Sequence, residues 1–178
     1  MTEKKKNKSN HNQIATQKIA LRGLLVAVAM VLSWVEAQIP AFFAVPGIKL
    51  GLTNLVVLAA LYCLSEKDAV LINLLRILLV GFTFGSMASM MYSLAGGLLS
   101  FVVMAISKRL DLFSQKGVSI LGGVFHNIGQ ILMAMAVVEN GKLIYYLPVL
   151  LISGVLAGIA IGIVASMITK RIQKAWKE

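Results

Sequence analysis

A few charged and amide side chains stand within long apolar stretches of this sequence. Arg76 follows Asn73 by three residues and precedes Thr83 by seven, so in a helix the three side chains share one face. An ionisable group at membrane depth costs at least about 2.5 kcal/mol. Because a partner or a ligand must offset this cost, these residues are the first place to look for function.

A second polar stripe and several outlying positions complete the candidate site. His126 and Gln130 share one face of another apolar stretch, with Asn127 to one side. The planar fork of an arginine binds phosphate or carboxylate through two contacts, so Arg76, Lys49 and His126 predict a cationic wall around an anionic ligand. The predicted substrate-binding residues are Glu36, Lys49, Asn54, Asn73, Arg76, His126, Asn127 and Gln130.

Two structural interpretations stand beside this functional one. The first is a buried Arg76–Glu36 pair that only locks two helices together. The second is an interhelical hydrogen bond made by His126. The sequence leaves both open.

Signatures of catalysis and of metal binding are missing from the sequence. Asp68 and Asp111 are solitary, so there is no Asp-rich pair to hold magnesium and diphosphate. There is no Gly-rich phosphate loop ending in Lys-Ser/Thr, so the chain does not itself hydrolyse ATP by that route. Of the two histidines, His11 lies in the polar N-terminal segment, which leaves too few ligands for a metal. The sequence therefore provides no candidate for a catalytic residue, a bound metal or a cofactor.

The composition indicates that a membrane protein holds these residues. Of 178 residues, 58% are hydrophobic and 13% are charged, whereas soluble domains carry about 25% charged residues. This excludes an ordinary soluble enzyme, and the net charge of +10 sits mainly in flanking segments rather than on a nucleic-acid-binding surface. Continuous apolar runs predict an all-α, polytopic bundle of about six transmembrane helices. The predicted spans are Ile19–Ala37, Leu50–Leu64, Ala69–Ser89, Tyr92–Ser107, Val118–Val138 and Leu143–Thr169. The second span is short. It is consistent with a re-entrant segment, which is tolerated where other helices shield its backbone.

The distribution of basic residues predicts the orientation. Of the 17 Lys and Arg residues, all but Lys49, Arg76 and Lys142 fall on one side of the six spans, which the positive-inside rule assigns to the cytoplasm. Both termini are then cytoplasmic in a multi-pass protein of the bacterial cytoplasmic membrane. We expect a disordered basic tail at 1–17, a six-helix membrane domain at 18–170 and a short tail at 171–178.

The first outer connection, Gln38–Gly47, contains Pro40 and Pro46 and few charges. It is equally consistent with a lid against the bundle and with an interfacial loop anchored by Phe42 and Phe43.

Small residues recur at four-residue spacing on several predicted helices. The last helix carries Gly154, Gly158, Gly162 and Ser166, a pattern typical of close helix packing within a membrane bundle. On the first helix, Ala20, Gly23 and Ala27 offer a smooth face near the basic side. We predict that this face binds a partner protein.

Four segments together resemble a known family. They are Glu36 with Pro40 and the runs Pro46–Asn54, Asn73–Ser86 and His126–Gln130. The combination is similar to heptaprenyl diphosphate synthase component I, a membrane family also called Gx transporters, over about residues 18–170. The architecture also resembles the S components of energy-coupling factor (ECF) transporters, which are six-helix substrate-binding proteins with both ends cytoplasmic.

The resemblance implies two alternative functions. One is an S-component-like protein that captures a small anionic or amphipathic substrate under the loop Gln38–Ile48, for uptake with a coupling subunit and an ATPase module. In S components a small-residue motif on the first helix docks the coupling subunit, which corresponds here to Ala20, Gly23 and Ala27. The alternative is a membrane-bound accessory subunit of heptaprenyl diphosphate synthase in menaquinone side-chain synthesis, partnered by a soluble prenyl synthase subunit. The cationic residues would then hold an isoprenoid diphosphate.

Overall fold

The computed structural model describes residues 3–38, 49 and 51–175, with side chains in the first helix described from Thr16 onward. Within these residues the chain is all-helical, as predicted, and forms no strand. A short 3-10 helix, Gly141–Tyr146, precedes the last helix. The six α-helices are α1 Glu3–Gln38, α2 Asn54–Cys63, α3 Glu66–Thr83, α4 Met87–Arg109, α5 Gln115–Val137 and α6 Leu147–Ala175.

Serine caps set the starts of the middle helices. The side chain of Ser65 accepts a hydrogen bond from the backbone N–H of Asp68 at the start of α3. Ser86 and Ser89 form a reciprocal capping box that begins α4 and satisfies backbone donors that have no partner within the helix. The third span, predicted to run to Ser89, therefore ends at Thr83, because residues 86–89 start the next helix instead.

The first helix begins earlier than its predicted start at Ile19. It is continuous from Glu3 to Gln38, so the segment expected to be a disordered tail is helical from Glu3 onward in the structure. Lys and Gln favour helix, which allows an apolar helix to continue into a polar extension. The division into tail and membrane domain remains a prediction.

The second helix is short and central. Its ten residues span about 15 Å, half of an apolar bilayer core of about 30 Å. Eight of the ten are buried, and α2 packs against all five other helices, most extensively against α3 and α6. Because these neighbours cover it, a helix that cannot cross the membrane alone sits within the bundle.

The outer surface of the bundle is suited to lipid. Four helical segments of the described part are long and apolar enough to cross a membrane; they are Thr16–Gln38, Met87–Arg109, Gln115–Val137 and Gly141–Ala175. The six predicted spans exceed this number because α2 is short and α3 carries four charged residues. The outward face of α3 is nevertheless apolar, with Leu71, Leu75, Leu78, Leu79 and Phe82 exposed.

Glycines allow α5 and α6 to pack closely. A Cβ on Gly158 would lie 2.6 Å from the Cα of Ile120, and one on Gly154 would lie 2.8 Å from the carbonyl oxygen of Gly123. These distances are shorter than real Cβ contacts. The ladder predicted on the last helix is therefore confirmed as a packing face within the chain.

One end of the bundle, which we call the basic end, is where α3 and α5 begin and α2, α4 and α6 end. Here Arg109 of α4 pairs with Glu66 of α3, and Lys108 Nζ donates to the carbonyl oxygen of Leu61, at 2.6 Å. On the neighbouring helices Gln115 bonds Thr169, and an Arg22–Asp68 pair of 2.8 Å links α1 to α3. The predicted cytoplasmic side thus has its own polar network.

Candidate functional site

The predicted polar residues lie deep in the bundle, away from the basic end. Measured along the helix axis from the basic end, Arg76 lies about 15 Å from Glu66 on α3, and His126 lies about 16 Å from Gln115 on α5. Lys49 is half-buried. The other predicted residues are at most 5% exposed; they are Glu36, Asn54, Asn73, Arg76, His126, Asn127 and Gln130.

The carboxylate of Glu36 binds the backbone that leads into α2. Its Oε1 accepts hydrogen bonds from the N–H of Gly51 at 2.5 Å and of Leu52 at 3.1 Å. Gly51 has φ +84°, a left-handed conformation that glycine adopts without steric cost. Because these donors adjoin the N-terminus of α2 at Asn54, Glu36 places a negative charge where the helix dipole favours one.

Arg76 is held by its own helix. Its Nε and Nη2 donate to Asn73 Oδ1, at 3.3 and 3.1 Å. Across the interface, a Cβ on Gly97 of α4 would lie 2.9 Å from Asn73 Nδ2. This glycine therefore lets α4 approach the Asn73–Arg76 stripe, and a single amide oxygen orients one edge of the guanidinium.

Gln130 joins the segment before α2 to α5. Its Oε1 accepts the backbone N–H of Lys49 at 2.9 Å, and its Nε2 lies 2.8 Å from His126 Nε2. Since the amide oxygen is engaged by a donor, the amide nitrogen donates to the imidazole. His126 is then neutral with its proton on Nδ1, a tautomer assigned from this hydrogen-bond network. It therefore does not add to the cationic wall predicted for Arg76, Lys49 and His126.

Glycines in α4 and in the turn before α2 make this arrangement possible, and sequence reasoning did not single out those in α4. A Cβ on Gly96 of α4 would lie 2.7 Å from the carbonyl oxygen of His126 and 2.8 Å from Gln130 Cγ. A Cβ on Gly51 would lie 3.0 Å from the ring of His126. The Gly96-Gly97 pair inside an apolar helix is the sequence signal that could have revealed this close approach.

We call the predicted residues that meet around the start of α2 the polar cluster; they are Glu36, Lys49, Asn54, Asn73, Arg76, His126 and Gln130. Asn127 is not part of it. Its Nδ2 donates to the carbonyl oxygen of Leu150 at 2.6 Å and to Ser153 Oγ at 3.2 Å, both on α6. The structure therefore directs Asn127 into the α5–α6 interface, whereas it brings the other predicted residues together around the start of α2.

Two cations and one carboxylate make up the charges of the cluster. Glu36, Lys49 and Arg76 interact electrostatically with one another. No direct ion pair joins them in the part of the chain that the structure describes, so the Arg76–Glu36 pair considered above is not formed there. The direct ion pairs among those residues are Arg22–Asp68 and Glu66–Arg109.

Several buried polar atoms of the cluster have no hydrogen-bond partner within the described residues. They include an acceptor, Glu36 Oε2, a donor, Asn54 Nδ2, and the hydroxyl of Thr53. Such atoms are costly in an apolar setting unless a ligand, a water or another segment completes them. Together with the excess positive charge, they suit an anion that also offers hydrogen-bonding groups.

The predicted partner face on α1 is open. Ala20, Gly23 and Ala27 are exposed, and a Cβ on Gly23 would meet nothing within 4 Å. No group of three or more His, Cys, Asp and Glu that could hold a metal occurs among the residues described. The connection Gln38–Gly47, expected to be a lid or an interfacial loop, lies outside the described residues except for Gln38, as does Ile48.

Comparison with known proteins identifies a family. The family model described as heptaprenyl diphosphate synthase component I matches residues 25–168, which span residues 25–38 of α1, all of α2 to α5 and most of α6. No curated protein and no solved structure matches the chain. The match covers every residue of the polar cluster.

Proposed function

The chain belongs to the heptaprenyl diphosphate synthase component I family, and from this premise we propose that it is a membrane protein that binds a small anionic or amphipathic molecule in its buried cationic cluster. The observation that carries the proposal is the pair Arg76 and Lys49 beside a single carboxylate, Glu36, one of whose oxygens is used by the α2 backbone. A ligand carboxylate or phosphate would neutralise the excess charge and accept hydrogen bonds from the guanidinium N–H groups that Asn73 does not use.

The form of this function that we favour is S-component-like uptake. The cluster lies in the half of the bundle opposite the basic end, so if the basic end is cytoplasmic the ligand enters from outside. The chain lacks a nucleotide-binding loop, so a coupling subunit and an ATPase module must supply the energy. The exposed face of Ala20, Gly23 and Ala27 is where we place the coupling subunit.

A second candidate function follows from the family's own description, which favours an accessory subunit of heptaprenyl diphosphate synthase. In that case Arg76 and Lys49 hold an isoprenoid diphosphate, and a soluble prenyl synthase subunit is the partner. Prenyl diphosphates are made in the cytosol, so this function requires a cluster that is open to the cytoplasmic side.

The proposed ligand contact is tested with Arg76→Ala in purified, detergent-solubilised protein. The probes are farnesyl diphosphate and a panel of small carboxylates, and the readout is the shift in Tm that each produces. We expect at least one probe to stabilise the wild type and Arg76→Ala to lose that shift. The matched control is Arg171→Ala at the exposed basic end, which should keep it, and circular dichroism checks that both variants remain helical. An unchanged shift in Arg76→Ala would refute the role of the cluster.

The partner is tested by affinity purification of the tagged chain from cells that express it natively. Recovery of an ATPase module with a membrane coupling subunit supports uptake, and recovery of a soluble prenyl synthase supports the accessory role. Gly23→Leu fills the open face of α1 and should abolish recovery of the coupling subunit, whereas Lys142→Leu, at an exposed position outside α1, should not. Recovery of the same coupling subunit with Gly23→Leu would argue against docking on α1.

A further inference from the structure

A groove runs between α3 and α4 on the outer surface of the bundle, and none of its residues belongs to the polar cluster. Its volume is about 560 Å³, within the range of about 300–1,000 Å³ that is typical of small-molecule sites. We call it the α3–α4 groove. It is lined by Glu66, Lys67, Val70, Leu71, Leu74 and Phe101.

The groove has the length of one membrane leaflet. It begins at the basic end, where Glu66 and Arg109 pair. Leu74 is eight residues along α3 from Glu66, and Phe101 is eight residues along α4 from Arg109, so both lie about 12 Å of helix from that pair. Half of an apolar bilayer core is about 15 Å thick. The apolar walls therefore match one acyl chain of the leaflet at the basic end.

The mouth of the groove carries a net positive charge. Arg109 donates from Nε and Nη2 to the two carboxylate oxygens of Glu66, so the carboxylate among the lining residues is already matched. Lys67 is exposed and, as the residue after Glu66, lines the same basic end of the groove. The charge left over at the mouth therefore complements a phosphate.

We propose that the α3–α4 groove binds an anionic phospholipid, with its phosphate at Lys67 and one acyl chain against Val70, Leu74 and Phe101. Basic pockets between membrane helices are suited to lipid headgroups, and the apolar wall below Lys67 favours an anion that carries an apolar chain over a soluble anion. The lipid joins α3, which carries Arg76, to α4, which carries the glycines of the cluster.

The test is lipid binding to purified, delipidated full-length protein in detergent, measured by native mass spectrometry. The probes are dioleoylphosphatidylglycerol and dioleoylphosphatidylcholine, which share their chains and differ in charge. We expect one molecule of phosphatidylglycerol to bind in preference to phosphatidylcholine. Lys67→Gln should lower the affinity for phosphatidylglycerol by about fivefold and remove the preference, with the chain contacts intact.

Two further variants separate the groove from general lipid association. Leu74→Trp fills the groove from a partly exposed position and should abolish tight binding of both lipids. Lys142→Gln removes an exposed positive charge from the 3-10 helix at the end of the bundle opposite the basic end, and it should leave binding unchanged. Equal binding of the two lipids by the wild type, a preference that survives Lys67→Gln, or tight binding that survives Leu74→Trp would each overturn the proposal.

Discussion

At the scale of single residues, the cluster shows that a buried carboxylate can be bound by backbone N–H groups rather than by a cationic side chain. Glu36 accepts two N–H groups from the turn before α2, while Lys49 contributes its own N–H to Gln130. The start of α2 is thus fastened to α1 by a carboxylate and to α5 by an amide. The side chains of Lys49 and Arg76 are the charges that we propose bind a ligand.

We expect Glu36→Ala to lower the free energy of unfolding by about 3 kcal/mol, because two buried N–H groups lose a charged acceptor. Glu36→Gln keeps an acceptor oxygen in place and should cost less than half as much. The measurement is denaturant unfolding in detergent micelles, followed by circular dichroism. Glu139→Ala, at an exposed position, is the control and should change the free energy by less than about 0.5 kcal/mol. Equal stability of Glu36→Ala and the wild type would contradict the capping role.

At the scale of helices, small residues serve two different purposes. On α5 and α6 they allow backbone contact within the chain, as the close approach of Gly158 to Ile120 shows. On α1 the same spacing leaves Gly23 facing open space. Periodic small residues therefore predict a smooth helix face, but they do not predict whether another helix of the same chain packs against it.

This difference predicts opposite effects of the same substitution. Gly158→Ala should destabilise the protein by about 2 kcal/mol, because the added methyl overlaps the backbone of α5. Gly23→Ala should be neutral or stabilising by up to about 1 kcal/mol, since alanine favours helix over glycine. Thermal unfolding of the two variants in one detergent provides the comparison. A Gly23→Ala loss as large as that of Gly158→Ala would show that α1 packs against its own chain at this position.

At the scale of the whole molecule, polarity divides the bundle into two levels. The basic end holds surface ion pairs and the α3–α4 groove, whereas the cluster lies about 15 Å deeper along α3. An S-component-like function needs the cluster to open away from the cytoplasm, and an accessory role in prenyl diphosphate synthesis needs the reverse. Orientation in the membrane therefore separates the two proposed functions.

Orientation can be measured by labelling single cysteines in whole cells. Cys63 is the only cysteine of the chain and is buried, so Cys63→Ala provides the background. Lys116→Cys replaces an exposed residue in the first turn of α5, and Lys142→Cys replaces one in the 3-10 helix beyond its other end. Because basic residues are retained on the cytoplasmic side, a membrane-impermeant maleimide should label Lys142→Cys in intact cells. It should label Lys116→Cys only after permeabilisation, and the reverse pattern would invert the topology and disfavour uptake from outside.

The sequence by itself determined the helical membrane class, the residues that are expensive to bury and the family. These features depend on composition, on apolar run length and on local motifs, all of which can be read along the chain. Tertiary structure alone decided which partner each polar side chain has. Glu36 binds a backbone 15 residues away, and Gln130 binds one 81 residues away. Asn127 turns to α6, although its neighbour His126 joins the cluster. Helical periodicity gives the direction of a side chain from its axis, but the element it meets depends on how distant helices pack.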